Sequence, residues 1–349
     1  MPSNSDGELP RGNFSKSSGL WQVARADEKR MLNLFPRDKP AACRDNHHRI
    51  TYPERFSMNE FRTTAAGNRF RRAIQQENPL QVVGVTNAYT ALLAAREGFQ
   101  ALYLSGAGVA NACFGLPDLG VTTLTEVAEE VRRITSASSL PVLVDADTGW
   151  GSPLTIERTV KELIRAGAAG MHIEDQVDTK RCGHRAGKQL VSTAEMVARL
   201  QAAVQARGED PFVLMARTDA AAVEGLEPAI SRALAYIEHG AEMIFAEALT
   251  TLAEYQRFTS AVNVPVLANI TEFGRTPLFT VDELRGAGIR LVLYPLSAFR
   301  AMSAAALRTY ATIRKTGTQQ ELIADMQTRQ DLYAVLDYES LESRLPEVP

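Results

Sequence analysis

Lys180, Arg181, Cys182, Gly183 and His184 set one thiol among three basic side chains. Neighbouring positive charge lowers a thiol pKa and suits the group to acid–base or nucleophilic work. Upstream, Val144-Asp145-Ala146-Asp147 and His172-Ile173-Glu174-Asp175 put carboxylates at the ends of two apolar runs. Carboxylate oxygens are hard ligands of the kind magnesium takes. A cation site beside a tuned proton donor points to chemistry on an anionic oxyacid.

Residues so far apart in sequence need a frame that gathers them. Eight short runs rich in Val, Ile and Leu supply one, at 81–85, 101–104, 141–144, 170–173, 212–215, 242–245, 264–267 and 290–293. Amphipathic segments such as 155–166 and 193–206 lie between several of them. Strands apolar on both faces and alternating with helices predict a (β/α)8 barrel, whose active site gathers at the C-terminal strand ends. An open doubly wound sheet is the alternative, but no GxGxxG turn is present.

The polar residues respect the barrel register. Tyr103, Ser105 and Gly106 follow the second run, and Asp145 and Asp147 the third. His172, Glu174 and Asp175 end the fourth, Arg217 and Asp219 follow the fifth and Glu247 the sixth. Asn269 and Thr271 follow the seventh, and Tyr294 and Pro295 the eighth. Each has a plainer reading. An Asp after a strand can simply cap the next helix, His172 can be a satisfied core residue, and Arg217 can be structural. Against the last, a substrate with several carboxylates needs fixed cations, and Arg offers a two-pronged fork.

Composition narrows the class. At 349 residues and 45% hydrophobic content the chain can bury a large core. A net charge of -3 supplies no basic field for nucleic acid. Cys43, Cys113 and Cys182 are odd in number and widely spaced, which fits neither a disulfide framework nor a zinc pattern. With no apolar run near the roughly 18 residues of a membrane span, the expectation is a soluble, cytoplasmic protein. Residues 1–57 lack sustained periodicity and read as a flexible leader, with apolar islands at 20–23 and 31–35. Residues 58–349 read as a single barrel domain, with extra helices from about residue 301 that carry Leu307, Tyr310, Ile313, Leu332, Tyr333 and Leu336.

Tyr103-Leu104-Ser105-Gly106, Gly115-Leu116-Pro117-Asp118-Leu119-Gly120, Val144-Asp145-Ala146-Asp147 and the Lys180–His184 box resemble the isocitrate lyase and phosphoenolpyruvate mutase superfamily. The box resembles the lyase branches rather than the mutases. The segments 215–219, 267–274 and 294–300 carry the same likeness, which spans about 66–343.

The resemblance implies a Mg²⁺- or Mn²⁺-dependent lyase that opens a carbon–carbon bond of a hydroxy-tricarboxylate in a retro-aldol sense. It implies Asp145 and Asp147 as metal holders, with Asp118 and Glu174 around them. Cys182 becomes the general acid, tuned by His184, and Tyr103 assisted by Arg217 the base. Ser105, Gly106, Ala107, His172, Gly183, Glu247, Asn269 and Thr271 become substrate contacts. Phe245, Leu293 and Pro295 form an apolar patch that suits a methyl substituent. It further implies a homotetramer built from two helix-swapped dimers. Two positions depart from the family pattern: Ala107 replaces the third glycine of a Ser-Gly-Gly-Gly turn, and Ala246 replaces a Pro. Three alternatives remain at this point: the isocitrate-cleaving branch, a phosphonopyruvate- or oxaloacetate-type enzyme, and a barrel that binds without catalysis.

Overall fold

The computed structural model describes residues 64–178, 180–181, 183 and 187–346. The leader 1–57, Met58, Cys43, Cys182 and His184 lie outside the described residues.

Eight parallel strands close into a barrel in chain order. They are β1 (Leu80–Gly84), β2 (Ala101–Leu104), β3 (Val142–Asp145), β4 (Gly170–Glu174), β5 (Val213–Thr218), β6 (Met243–Ala246), β7 (Val266–Asn269) and β8 (Leu291–Tyr294). Closure runs through β1 and β8, where Leu80 pairs with Leu291 and Val83 with Tyr294. The sequence runs miss these limits by up to three residues. The largest shift is in β5, which continues through Arg217 and Thr218 because both still pair with β6.

Helix α1 (Ala66–Gln76) precedes the barrel, and α2 (Ala88–Arg96), α3 (Leu124–Ala137), α4 (Pro153–Arg165), α5 (Thr193–Arg207), α6 (Leu226–Glu238), α7 (Leu252–Ala261) and α8 (Val281–Gly286) alternate with the strands. Their starts are written in the sequence. Asn87, Thr123, Thr251 and Thr280 each form a reciprocal capping box with the residue three positions on, a device worth about 1 kcal/mol per cap. Pro153 opens α4, where its missing N–H costs nothing. Beyond the barrel come α9 (Ser297–Thr316), α10 (Arg329–Leu336) and α11 (Tyr338–Glu342).

Two apolar layers hold the barrel together. Outward residues such as Leu102, Val144, Ile173, Leu214 and Ile244 pack against the helices. Inward residues such as Val82, Tyr103, Leu143, Met215, Phe245 and Leu293 fill the interior. Phe70, Ala73 and Ile74 of α1 join that inner cluster, so α1 plugs the barrel next to the early parts of the strands.

Candidate active site

Side chains alternate faces along a strand, so the inward row of each strand can be followed from core to mouth. In β5 the row is Val213, Met215, Arg217 and then Asp219. In β6 and β7 it leads from Phe245 to Glu247 and from Leu267 to Asn269 and Thr271. In β3 and β4 it leads from Leu143 to Asp145 and Asp147, and from His172 to Glu174. The cross-strand register aligns these rows, pairing Asp145 with His172, Glu174 with Arg217 and Asn269 with Leu293. One step of two therefore both fills the core and delivers the polar groups to a single opening.

That opening is lined by Tyr103, Ser105, Ala107, Asp118, Asp145, Glu174, Lys180, Gly183, Arg217, Phe245, Glu247, Asn269, Thr271, Leu293 and Pro295. Three expected members are placed elsewhere. His172 is fully buried one layer beneath the opening, outside its lining. Gly106 donates its N–H to Asp145 Oδ2 at 3.1 Å and lies outside that lining. Asp147 faces a second cleft beside Thr122, Trp150 and Arg158, which it shares with Lys180.

The acids are not gathered as a cage. Among the described residues no group of three His, Cys, Asp or Glu side chains is arranged to hold a metal. Lys180 Nζ stands among them, 2.7 Å from Asp147 Oδ1, and also pairs with Asp118. Burial opposes the ammonium charge, but Asp147, Asp145 and Glu174 outweigh it and raise its pKa.

Asp147 sits at φ 46, a left-handed backbone that is uncommon outside glycine, and donates its N–H to Asp145 Oδ1 at 3.1 Å. Burial works against ionisation of Asp145, yet His172, Lys180 and Arg217 outweigh it and hold it at about 2. Burial and then Asp145 push Asp147 up to about 6. Two adjacent carboxylates of opposite tendency, with Glu174 Oε1 buried and lacking a hydrogen-bond partner, fit a small divalent cation. Magnesium is commonly bound by one or two carboxylates with water completing the shell.

On the other side of the opening, Arg217 makes a two-pronged pair with Asp219, Nε to Oδ2 at 3.0 Å and Nη2 to Oδ1 at 3.1 Å. Glu174 Oε2 at 3.3 Å and Glu247 Oε2 at 3.6 Å complete the ring around it. The guanidinium lies 5.0 Å over the Phe245 ring, and Asn269 donates to Glu247 at 3.3 Å. Burial pushes Glu174 well above the usual carboxylate range.

Tyr103 Oη lies 2.9 Å from His172 Nε2, and the two rings are stacked at 5.8 Å. Burial pushes His172 down to about 4, so the imidazole is neutral at pH 7. Burial, then the charge of Asp145, pushes the Tyr103 phenol well above its usual range. At rest Tyr103 keeps its proton, which weighs against its acting as a base unaided.

Several rim residues lie in segments that carry the family likeness but were given no role of their own. Glu272, Phe273, Leu296 and Arg300 line the opening. Arg300 stacks over Phe273 at 5.6 Å and faces Glu272 at 3.6 Å. Lys188, beneath the opening, was missed.

Residues 70–314 match the phosphoenolpyruvate phosphomutase family. The chain is 59% identical over 280 residues to the 2-methylisocitrate lyase of Escherichia coli (strain K12), covering 80% of this chain and 95% of that protein. It is 46% identical over 278 residues to the 2-methylisocitrate lyase of Aeropyrum pernix, covering 80% and 89%. Among solved structures it resembles 2,3-dimethylmalate lyase, described as a member of the PEP mutase/isocitrate lyase superfamily, with a TM-score of 0.75 at 36% identity over 80% of this chain and 94% of that one. It also resembles oxaloacetate acetylhydrolase in complex with 3,3-difluorooxalacetate, with a TM-score of 0.75 at 31% identity over 80% and 95%.

Proposed function

The chain belongs to the phosphoenolpyruvate phosphomutase family, and on that premise we propose that it is a 2-methylisocitrate lyase, cleaving (2R,3S)-2-methylisocitrate to pyruvate and succinate. One observation carries the reading: a single opening presents hard carboxylates at Asp145, a fixed guanidinium at Arg217 and an apolar wall of Phe245, Leu293 and Pro295. A hydroxy-tricarboxylate bearing a methyl group needs all three.

Asp145 and Asp147 hold Mg²⁺ or Mn²⁺, with Asp118 and Glu174 around it. When bound, the cation polarises the substrate hydroxyl and offsets the charge of the two aspartates. Ser105, the Ala107 turn, Arg217, Asn269 and Thr271 bind and orient the carboxylates. Once its own proton has passed to His172 Nε2, 2.9 Å away, Tyr103 takes the hydroxyl proton, and Arg217 is the neighbouring charge that favours the phenolate. The C2–C3 bond then breaks, the hydroxyl-bearing carbon becomes the ketone of pyruvate, and the electron pair stays on the succinate carbon. Cys182, tuned by His184, supplies the proton to that carbon. Phe245, Leu293 and Pro295 take the methyl. The isocitrate-cleaving alternative leaves that wall without a contact.

For the assembly, we infer a homotetramer of two dimers that exchange C-terminal helices. None of the twenty residues of α9 is buried within its own chain, and Leu307 and Tyr310 are 70% and 69% exposed. No helix among the described residues is long and apolar enough to cross a membrane. A charged small substrate of propionate breakdown fits a cytoplasmic enzyme.

The test is turnover of 2-methylisocitrate against isocitrate, each with Mg²⁺ and with chelator. Metal-dependent release of pyruvate and succinate supports the reading. Release of glyoxylate from isocitrate at equal or higher kcat/KM sinks it.

A further inference from the structure

Lys188 lies in the segment that leads into α5, and its side chain is 2% exposed. Its Nζ donates to the carbonyl of Gly183 at 2.6 Å and to Asp219 Oδ1 at 2.7 Å. A buried ammonium is costly unless paired and hydrogen-bonded, and here both bonds lead to the substrate opening. Gly183 lines that opening, and Asp219 is the two-pronged partner of Arg217. The Gly183 backbone lies directly on the same cluster: a Cβ added there would stand 2.4 Å from Arg217 Nη2 and 2.7 Å from Glu247 Cδ.

We propose that Lys188 is a positioning residue for substrate binding, fixing the Gly183 backbone above Arg217 and, through Asp219, the Arg217 guanidinium below it. The proposal rests on the lyase reading for the identity of the anion that Arg217 grips.

Charge explains what the arrangement achieves. Arg217 faces Asp219, Glu174 and Glu247, and without another cation these acids spend its charge. Lys188 offsets Asp219, so the guanidinium keeps attraction for an incoming carboxylate. In a water-poor site such interactions are weakly screened. Removing the ammonium leaves the pocket one charge more negative towards a trianion, and frees the Gly183 carbonyl. Neither effect touches the bond that breaks, so the loss falls on binding.

The experiment compares Lys188→Met and Lys188→Arg with wild type for kcat and KM on 2-methylisocitrate at saturating Mg²⁺, and for calorimetric binding of succinate. Lys188→Met is expected to raise KM by about 10-fold or more while kcat changes by less than about 3-fold, the pattern of lost uniform binding. Lys188→Arg keeps the charge and should lie closer to wild type in KM. A KM rise below about 5-fold in Lys188→Met, whatever happens to kcat, overturns the proposal. So does an equal KM in the two variants. If Lys188→Met yields no folded protein, Lys188→Arg decides on the same 5-fold line, roughly drawn: a smaller rise supports the proposal and a larger one overturns it. Failure of wild type to turn over 2-methylisocitrate sinks the lyase reading instead. Succinate binding, weakened in Lys188→Met or not, then decides for Lys188 separately.

Discussion

Asp147 and Lys180 form a buried ion pair, Oδ1 to Nζ at 2.7 Å, at the place where the acids of β3 would receive a divalent cation. Lys180 thus partly offsets the Asp147 charge, while burial and the neighbouring Asp145 still push Asp147 up to about 6. Asp147→Ala should therefore abolish metal-dependent turnover. The expected loss of Mg²⁺ affinity is at least the roughly 10–100-fold that loss of an outer-shell partner costs. A Mg²⁺ titration of activity checks it, and wild-type activity persisting under chelator contradicts it.

Cys182→Ser should keep the fold and the Mg²⁺ dependence but lose about 10²–10⁴-fold in kcat, the usual worth of a positioned acid or base. A serine hydroxyl holds its proton far more tightly than a thiol. Near-normal kcat in the variant removes Cys182 from the acid role.

Substrate choice rests on the Phe245 wall. One carbon in an apolar pocket is worth about 1–3 kcal/mol, so wild type should prefer 2-methylisocitrate over isocitrate by roughly 10- to 200-fold in kcat/KM. Phe245→Trp should hurt the methylated substrate more than isocitrate. Because the quantity is a ratio, shared losses in stability or metal affinity cancel. Equal losses leave Phe245 as core alone and turn attention to Ala107.

Phe70 offers the opposite case. It is fully buried in the inner cluster beside Ala73 and Ile74, at the end of the barrel plugged by α1. Phe70→Ala should cost about 3–5 kcal/mol of stability while leaving KM and kcat within about 2-fold below the melting transition. Denaturant unfolding and steady-state kinetics on the same sample test both halves.

A chain beginning at Met58 should melt and turn over like the full chain. The described barrel needs no residue before α1 for closure, and the Escherichia coli relative matches this chain with 95% of its length using 80% of ours. A large fall in kcat or Tm on truncation would place the 20–23 or 31–35 island on the enzyme.

Most of the barrel was legible because its strands are buried on both faces and read as bare apolar runs. Their ends were less so. Asp145 closes β3 and Arg217 lies inside β5 although both are charged, since backbone pairing continues after the apolar residues stop. The site was legible wherever a polar residue follows a strand on the inward step. Sequence shows the direction of His172 but not its depth. Its pairing with Met215 sets it a layer below the Glu174–Arg217 pair. Lys188 was hidden for another reason: it lies 31 residues from Asp219, in a loop, and no periodicity ties the two.

The inward row of β5 runs Val213, Met215, Arg217 and Asp219 without a change of step, so packing and chemistry share one reading frame. Inserting or deleting a single residue in that strand would turn Arg217 out towards the helices and bring Ala216 in, stripping site and core together. Descendants of this chain can thus change their reaction by substitution at fixed positions. Changes of length are confined to the segments beyond Asp219, Thr271 and Pro295, where no inward row is left to invert.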